Sequence, residues 1–592
     1  MKKKTFVEKI LNAEKGAIVF RKPDIVLTHD NTASIKNTFN KMGGDFVKNP
    51  EQLLVVLDHN APPTNAKLAN QYQTIRDFVN EQKIAKFHDV GDGICHQVMS
   101  YHAKPGMIIV GSDSHTCTAG AFNSLAAGID RTESAGLWKR GETWFLVPDS
   151  MKITLKGKLP DGVYAKDISL WIIGMIGSAG ANYMSIEFHG DGIKDLSISQ
   201  RMTLCNLASE MGAKNAVFPP DEVLGKFLGK KIEKGIWADE DAEYSGEIEI
   251  DLSKLYPLVA APHHVDNVKA VSEVQGTKLN QGLIGTCTNG RLEDIRIAAE
   301  ILDGKQIANN FQLLVIPASK EIYLQMIEEG LTTKLMNAGA SVLAVSCGPC
   351  LGTGQGIPAD GYTVISTANR NFKGRMGNKE AQIYLASPAC VAYSALKGEI
   401  TDPRGIQASD NYPYKKEQST TVDISNDDNR RINSVWNYKD VDNLNTDQMF
   451  AGNLTYQVLS SDPEAIMPHL FKGFDDNFTD NVQAEDVIIA GENFGCGSSR
   501  EHPAVGLAHA GVKAVIVKSV NRIFYRSSVN QGLPIIVLPN IVDEYQAGDK
   551  VQVSLEKGVI TINKKEFEFA PLPDALMEIF AAKGLVNWIK KQ

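Results

Sequence analysis

Short apolar runs that end abruptly in polar residues recur along the chain. QLLVVLDHN (52–60) and GMIIVGSDSHT (106–116) both pass from a buried-strand pattern straight into Asp, His and Ser. Helical amphipathic stretches separate such runs, and this alternation is the grammar of α/β domains. In such folds ligands gather beyond the carboxyl ends of the strands, which makes Asp58, His59, Asp113, Ser114 and His115 expected neighbours in space. His96, in GDGICHQV, sits in an otherwise apolar segment between them.

Residues 1–125 read as a first α/β unit. Over 126–255, the Gly- and Ala-rich AGAFNSLAAGI reads as helix and MKITLKG as strand. MTLCNLASEMGA then reads as a helix carrying Asn206 and Glu210 four apart, hence on one face. Residues 256–410 form a third α/β unit, with FQLLVIP, SVLAVSCG and YTVISTANR as buried strands. The polar, Asn/Asp-rich range 411–440 reads as a linker. Residues 441–592 read as a separable domain with strands in EDVIIAGENF, VKAVIVKSV and LPIIVLP and a hairpin-like KVQVSLEKGVITI.

Composition narrows the functional classes. At 592 residues the chain is too long for one core, and about 150 residues per domain gives about four. Hydrophobic residues at 43% and charged residues at 22% supply a core and argue against disorder. No run approaches the ~18 uninterrupted apolar residues that a membrane span requires, and MKKKTFVEKILNAEK lacks the apolar core of a secretory signal. A cytoplasmic protein with no membrane partner is therefore expected. The net charge of −9, from 61 basic and 70 acidic side chains, argues against a broad nucleic-acid surface, so an anionic ligand must be met by a local arginine cluster. Eight irregularly spaced cysteines fit a reduced compartment, not a disulfide scaffold.

The densest candidate chemistry lies in SCGPCLGTGQG (346–356), where Cys347 and Cys350 share a Gly- and Pro-rich turn. Alone, such a CxxC pair serves equally as a redox pair, half a zinc site or two buried thiols. Cys287 follows the apolar run of LIGTCTNGR and adds a third thiol at a strand end, while no fourth well-placed cysteine closes the set. A closed zinc or electron-transfer site normally uses four protein ligands; three leave one metal position open to substrate and to Lewis-acid chemistry. Cys95, Cys117, Cys205 and Cys390 lie in apolar or small-residue contexts and read as buried hydrophobes. Asn369, Arg370 and Arg375 follow the strand pattern YTVIS; their guanidinium groups suit a carboxylate, although the same pattern also fits surface charges. In GENFGCGSSREHPA, Ser498, Ser499 and Arg500 precede a helical pattern and form either an anion-binding turn or a plain helix N-cap with Glu501.

Together GSDSHT, GTCTNGR, CGPCLG, NRNFKGR and FGCGSSREH, in this order and over nearly the whole chain, resemble the aconitase superfamily of iron–sulfur hydro-lyases, which includes isopropylmalate and homoaconitate dehydratases. The resemblance implies three α/β domains around an iron–sulfur cluster plus a C-terminal swivel domain, parts that are separate subunits in several relatives and fused here. It implies a [4Fe–4S] cluster held by Cys287, Cys347 and Cys350, with one iron free of cysteine and open to a substrate carboxylate and hydroxyl. Ser498 matches the family's base, which removes a proton beside a carboxylate, and Ser499 and Arg500 match groups that bind substrate and stabilise the alkoxide. His59, oriented by Asp58, matches the group that protonates the departing hydroxyl. His96 with Asp113, and His115 with Glu210, match supporting imidazole–carboxylate pairs, with Ser114 and Asn206 alongside. Arg370 and Arg375 match carboxylate-binding arginines, and Asn369 a polar group beside the cluster.

The substrate implied is a small malate-type hydroxy di- or tricarboxylic acid. His29, in VLTHDNT, stands where aconitases proper carry Gln, as in the isopropylmalate and homoaconitate branch. The selectivity loop is expected in NTDQMFAGNLTYQVLSSDPE, and no Arg occurs from Asp447 through Lys472. That leaves Asn453, Leu454, Thr455, Tyr456 and Gln457 to read the variable group, and puts 3-isopropylmalate slightly ahead of citrate and homocitrate. An alternative of another class is an RNA-binding regulator switched by cluster loss, which the net charge of −9 disfavours. A catalytically dead paralogue is disfavoured because every matched position is filled. The oligomeric state stays open, a monomer included.

Overall fold

The computed structural model describes residues 3–232, 235–405, 430–451, 454, 455, 458–472, 474–570 and 572–591. The stretch 411–429 of the expected linker and Asn453, Tyr456 and Gln457 of the expected selectivity loop lie outside these.

The first sheet is parallel throughout, in the order Lys86–His88, Leu53–Val56, Ile25–Thr28, Ile108–Gly111, Leu125–Gly128. Every residue of its three central strands is buried. Successive residues feed opposite cores: Leu27, Leu54 and Ile109 pack on one face, Val26, Leu53 and Val110 on the other. Burial on both faces is why these runs are continuously apolar instead of alternating. The parallel arrangement brings their carboxyl ends to one side, so 29–31, 58–59 and 113–115 follow neighbouring strands.

A second parallel sheet runs Asn215–Val217, Ser185–His189, Ser150–Lys156, Gly246–Asp251. The third has seven strands, in the order Val268–Ala270, Leu258–Ala260, Gln382–Ala386, Thr363–Ser366, Gln281–Gly285, Gln312–Ile316, Ser341–Val342. Gln281–Gly285 and Thr363–Ser366 are parallel neighbours, so the segments bearing Cys287 and Asn369 leave the sheet side by side. The last part holds a sheet of Arg431–Ile432, Val435–Tyr438, Val487–Ala490, Ala514–Val517 and Ile535–Val537, and a three-stranded antiparallel sheet within 551–568.

Several expectations change. AGAFNSLAAGI is not a helix: a tight 3₁₀ turn over Ser114–Phe122 ends at Asn123, in the left-handed region at φ +58°, and Leu125–Gly128 joins the first sheet. Small residues there serve close packing, since a Cβ on Gly128 would stand 2.8 Å from the Asp113 carbonyl oxygen. A boundary at 125 therefore cuts a strand. SVLAVSCG yields only the edge strand Ser341–Val342, with Ser341 exposed, so it is not a buried strand. The α-helix Ile198–Leu207 tightens into a 3₁₀ turn over Ala208–Met211, so Asn206 and Glu210 straddle that junction instead of sharing one α-helical face. Val435–Tyr438, inside the expected 411–440 linker, pairs with Val487–Ala490, so the last sheet begins before 441.

The last part docks on the first through buried polar contacts. Arg526 Nε donates to Glu133 Oε2 at 2.9 Å, both residues being 1% exposed. Removing one partner of such a pair costs about 3–5 kcal/mol. Asn530 Nδ2 donates to Asp130 Oδ2 at 2.6 Å, and the Thr132 amide and hydroxyl donate to Glu501 Oε2 at 3.0 and 2.8 Å. The terminal helices Asp574–Ala581 and Leu585–Lys590 share a core with Leu137 and Trp138 of helix Arg131–Arg140.

Candidate active site

Strand ends and loops from three parts of the chain converge on one cavity. His29, His59, His96, Asp113, Ser114 and His115 line it from the first part; Cys287, Cys347, Cys350, Asn369, Arg370 and Arg375 from the third; Ser498, Ser499 and Arg500 from the last. Asp58, Asn206 and Glu210 stand behind these residues, each bonded to one or more of them. Tyr456 lies outside the described residues.

The imidazoles are held in pairs. His59 Nδ1 meets Asp58 Oδ1 at 2.7 Å, while Asp58 Oδ2 accepts the Cys95 amide at 2.7 Å. His59 Nε2 lies 3.5 Å from Asp113 Oδ2. Asp113 Oδ1 meets His96 Nε2 at 2.7 Å and accepts the His115 amide at 2.7 Å. His115 Nε2 meets Glu210 Oε1 at 2.7 Å, and Arg370 Nε donates to the same carboxylate at 2.9 and 3.0 Å. Burial opposes ionisation of all three acids, but their neighbours outweigh it. His59 holds Asp58 below the usual carboxylate range, His96 holds Asp113 well below it, and Arg370 holds Glu210 down to about 2. His29 stacks on His59, ring centroids 3.9 Å apart, and burial aided by His59 pushes it down to about 3, which leaves it neutral.

Two of the thiols, Cys287 and Cys350, lie where N–H groups point at sulfur, while Cys347 Sγ lies 3.9 Å from Asp58 Oδ2. Asn206 Nδ2 and Asn369 Nδ2 donate to Cys287 Sγ at 3.3 and 3.6 Å, and Arg375 Nη2 lies 4.0 Å from Cys350 Sγ. Burial, with Cys350 adding to it, pushes the Cys287 thiol up to about 12; burial also raises Cys347 well above the thiol range. Thiols raised in this way, as Cys287 and Cys347 are, ionise only beside a strong cation, and with Cys350 beside them the donor set fits an iron–sulfur cluster with an uncapped position. Thr286, next to Cys287, takes φ +71°, a strained value for a β-branched residue. A Cβ on Gly352, at φ +78°, would stand 2.5 Å from the Gly377 amide nitrogen, so a glycine lets the CGPCLG loop press against the loop that bears Arg375.

Ser498 sits on a half-buried turn supported by its own part. Its amide donates to Thr446 Oγ1 at 3.1 Å, and its hydroxyl lies 3.5 Å from the same atom. Arg500 Nη1 donates to Asp447 Oδ1 at 2.8 Å and to the Phe450 carbonyl at 2.7 Å, so its charge is already partly matched.

Sequence reasoning missed several contributors. Asp30 is buried and receives the amides of Asp58, His59 and Asn60 at 3.0, 3.2 and 2.8 Å, which fixes the loop that presents His59. It follows a strand just as Asp58 does, so the strand-end rule reaches it. Arg131 lines the cavity and is 7% exposed; reading Leu125–Gly128 as a strand would have exposed it by the same rule. Thr286, Asn31 and Ser112 also line the cavity.

Among the described residues no helix is long and apolar enough to cross a membrane. A family model described as Aconitase family (aconitate hydratase) matches residues 3–398, and one described as Aconitase C-terminal domain matches 410–540. The chain is similar to 3-isopropylmalate dehydratase large subunit 1 of Methanopyrus kandleri, 45% identical over 68% of this chain and 99% of that protein. It is 46% identical to the probable methanogen homoaconitase large subunit of Methanosarcina mazei, over 65% of this chain and 99% of that one. The methanogen homoaconitase large subunit of Methanocaldococcus jannaschii is 43% identical, over 67% and 99% respectively. Enzymes of the matched family generally carry a [4Fe–4S] cluster. With both family models matched in one α/β chain, the protein belongs to the aconitase family of hydro-lyases.

Proposed function

We propose that the enzyme dehydrates and rehydrates a malate-type hydroxy di- or tricarboxylic acid in the cytoplasm, moving the hydroxyl between adjacent carbons through an alkene. The observation that carries this reading is the convergence of three thiols, paired imidazoles and a serine–arginine turn on one cavity. Cys287, Cys347 and Cys350 would hold the cluster, whose open position supplies Lewis acidity when bound.

The chain's own residues divide the remaining work. His59, fixed through Nδ1 by Asp58, gives a proton to the departing hydroxyl. Ser498 takes the proton from the carbon beside a carboxylate; a serine is too weak a base in water, and Arg500 with nearby amides stabilises its ionised form. Arg370 and Arg375 bind carboxylate, and the Glu210 pair keeps the Arg370 fork oriented. His96 and His115 keep Asp113 and Glu210 ionised and in register.

The arginine-free stretch 447–472 slightly favours 3-isopropylmalate or a similar alkylmalate. The names of the relatives divide between 3-isopropylmalate dehydratase and homoaconitase. A second reading, a homocitrate- or citrate-type acid, is favoured by Arg131, which lines the same cavity close enough to act on His29. Anaerobic reconstitution followed by alkene absorbance with citrate, homocitrate, isopropylmalate, citramalate and dimethylmalate tests both readings. Turnover of none of the five overturns the proposed reaction. Salt-dependent retention of the cluster-free protein on RNA would instead support a regulator.

A further inference from the structure

We propose that Arg522 of the last part is a positioning residue that sets the active-site loop of the first part when the two dock, an inference that rests on the function proposed above. Arg522 opens helix Arg522–Gln531 and is 1% exposed. Its Nη2 donates to the Ser114 carbonyl at 3.2 Å and to Ser209 Oγ at 3.2 Å, and Ser209 Oγ donates to that same carbonyl at 3.0 Å. Ser114 lies between Asp113 and His115, and Ser209 directly precedes Glu210. One guanidinium from the last part thus joins the two loops whose side chains meet in the 2.7 Å His115–Glu210 contact.

The effect extends one residue further. Arg370 Nη2 donates to Ser114 Oγ at 3.2 Å and Arg370 Nε to Glu210, so both loops tied by Arg522 also fix a carboxylate-binding fork. Arg522 is not among the residues lining the cavity, so it acts on the chemistry from behind these loops, with its charge near enough to bear on Arg370 and Glu210 as well. Burying a guanidinium there is costly, and an apolar side chain of similar volume would pack at lower cost. Holding the loops together gives that cost a purpose, since a displacement near ~1 Å at catalytic groups lowers rate about 100-fold.

The test uses the reconstituted full chain, after wild-type turnover of at least one acid in the panel has upheld the parent reading. Arg522→Ala is expected to lose kcat about 100-fold with KM within about threefold and the cluster absorbance unchanged. Guanidinium ion in the millimolar range should recover about tenfold of that loss, an effect that a merely structural role would not give. Wild-type kcat in Arg522→Ala, or a loss that guanidinium leaves untouched at wild-type thermal midpoint, overturns the proposal. If Arg522→Ala does not fold, Arg522→Gln carries the test: kcat lowered about tenfold at an unchanged thermal midpoint supports it, and wild-type kcat overturns it.

Discussion

The imidazole network of the first part and the serine turn of the last part face one cavity but are built on opposite principles. In the network the histidines, Asp58 and Glu210 are buried, Asp113 is half-buried, and the pairs close at 2.7 Å, from Asp58–His59 through Asp113–His96 to Glu210–His115. Ser498 stands on a half-buried turn, with its hydroxyl 3.5 Å from Thr446. Groups that must be aimed before substrate arrives are locked by bonds that are costly to break. The serine hydroxyl is held lightly and owes its place at the cavity to docking of the last part.

The largest effect should come from breaking the lightly held side. Ser498→Ala is expected to lower turnover by at least about 10⁴-fold and leave the cluster's visible absorption intact; substantial residual hydration would remove the serine from its role. The network should yield less to a single change because its members share the work. Glu210→Gln, which keeps the shape but drops the charge seen by His115 and Arg370, is expected to cost about 100-fold in kcat. A loss equal to that of Ser498→Ala would erase the contrast.

Arg131 stands at the seam between the two regions and sharpens the comparison through selectivity. Arg131→Met should lower kcat/KM for homocitrate relative to isopropylmalate by about 10- to 100-fold, the worth of one charge-assisted contact. An unchanged ratio would return the variable group to the loop around Thr455. The smallest effect concerns docking itself. Burial, with Glu501 and Glu133 beside it, pushes Asp130 up to about 7 from an ordinary 3.8. The folded chain then holds a proton that the unfolded chain has released, so stability falls as pH rises from about 4 to about 7. Asp130→Asn should flatten that decline by a few degrees in thermal midpoint, with the gain largest above pH 7. Parallel pH profiles for the two proteins would contradict it.

Much of the cavity was legible because its residues follow strands. Cys287, Asn369, His59 and His115 each come just after a continuous apolar run, and the parallel sheets bring those run-ends together. Arg131 was hidden by composition: AGAFNSLAAGI is rich in helix-tolerant residues, and the sheet contact that makes Leu125–Gly128 a strand is not local. Arg522 and Asp30 act on main-chain atoms of distant loops, a role that residue type does not announce. The edge position of Ser341–Val342 likewise depends on strand order, which periodicity does not carry.

The docking contacts of Arg526, Asn530 and Glu501 have a consequence for how activity responds to dilution. Both family models lie in one covalent chain, whereas the relatives named above are large subunits matched over 99% of their length by about two thirds of it. The serine turn therefore meets the thiols at an effective concentration that does not depend on how much protein is present. Specific activity should stay constant down to the lowest assayable enzyme concentration, where an assembly of separate subunits would dissociate by mass action.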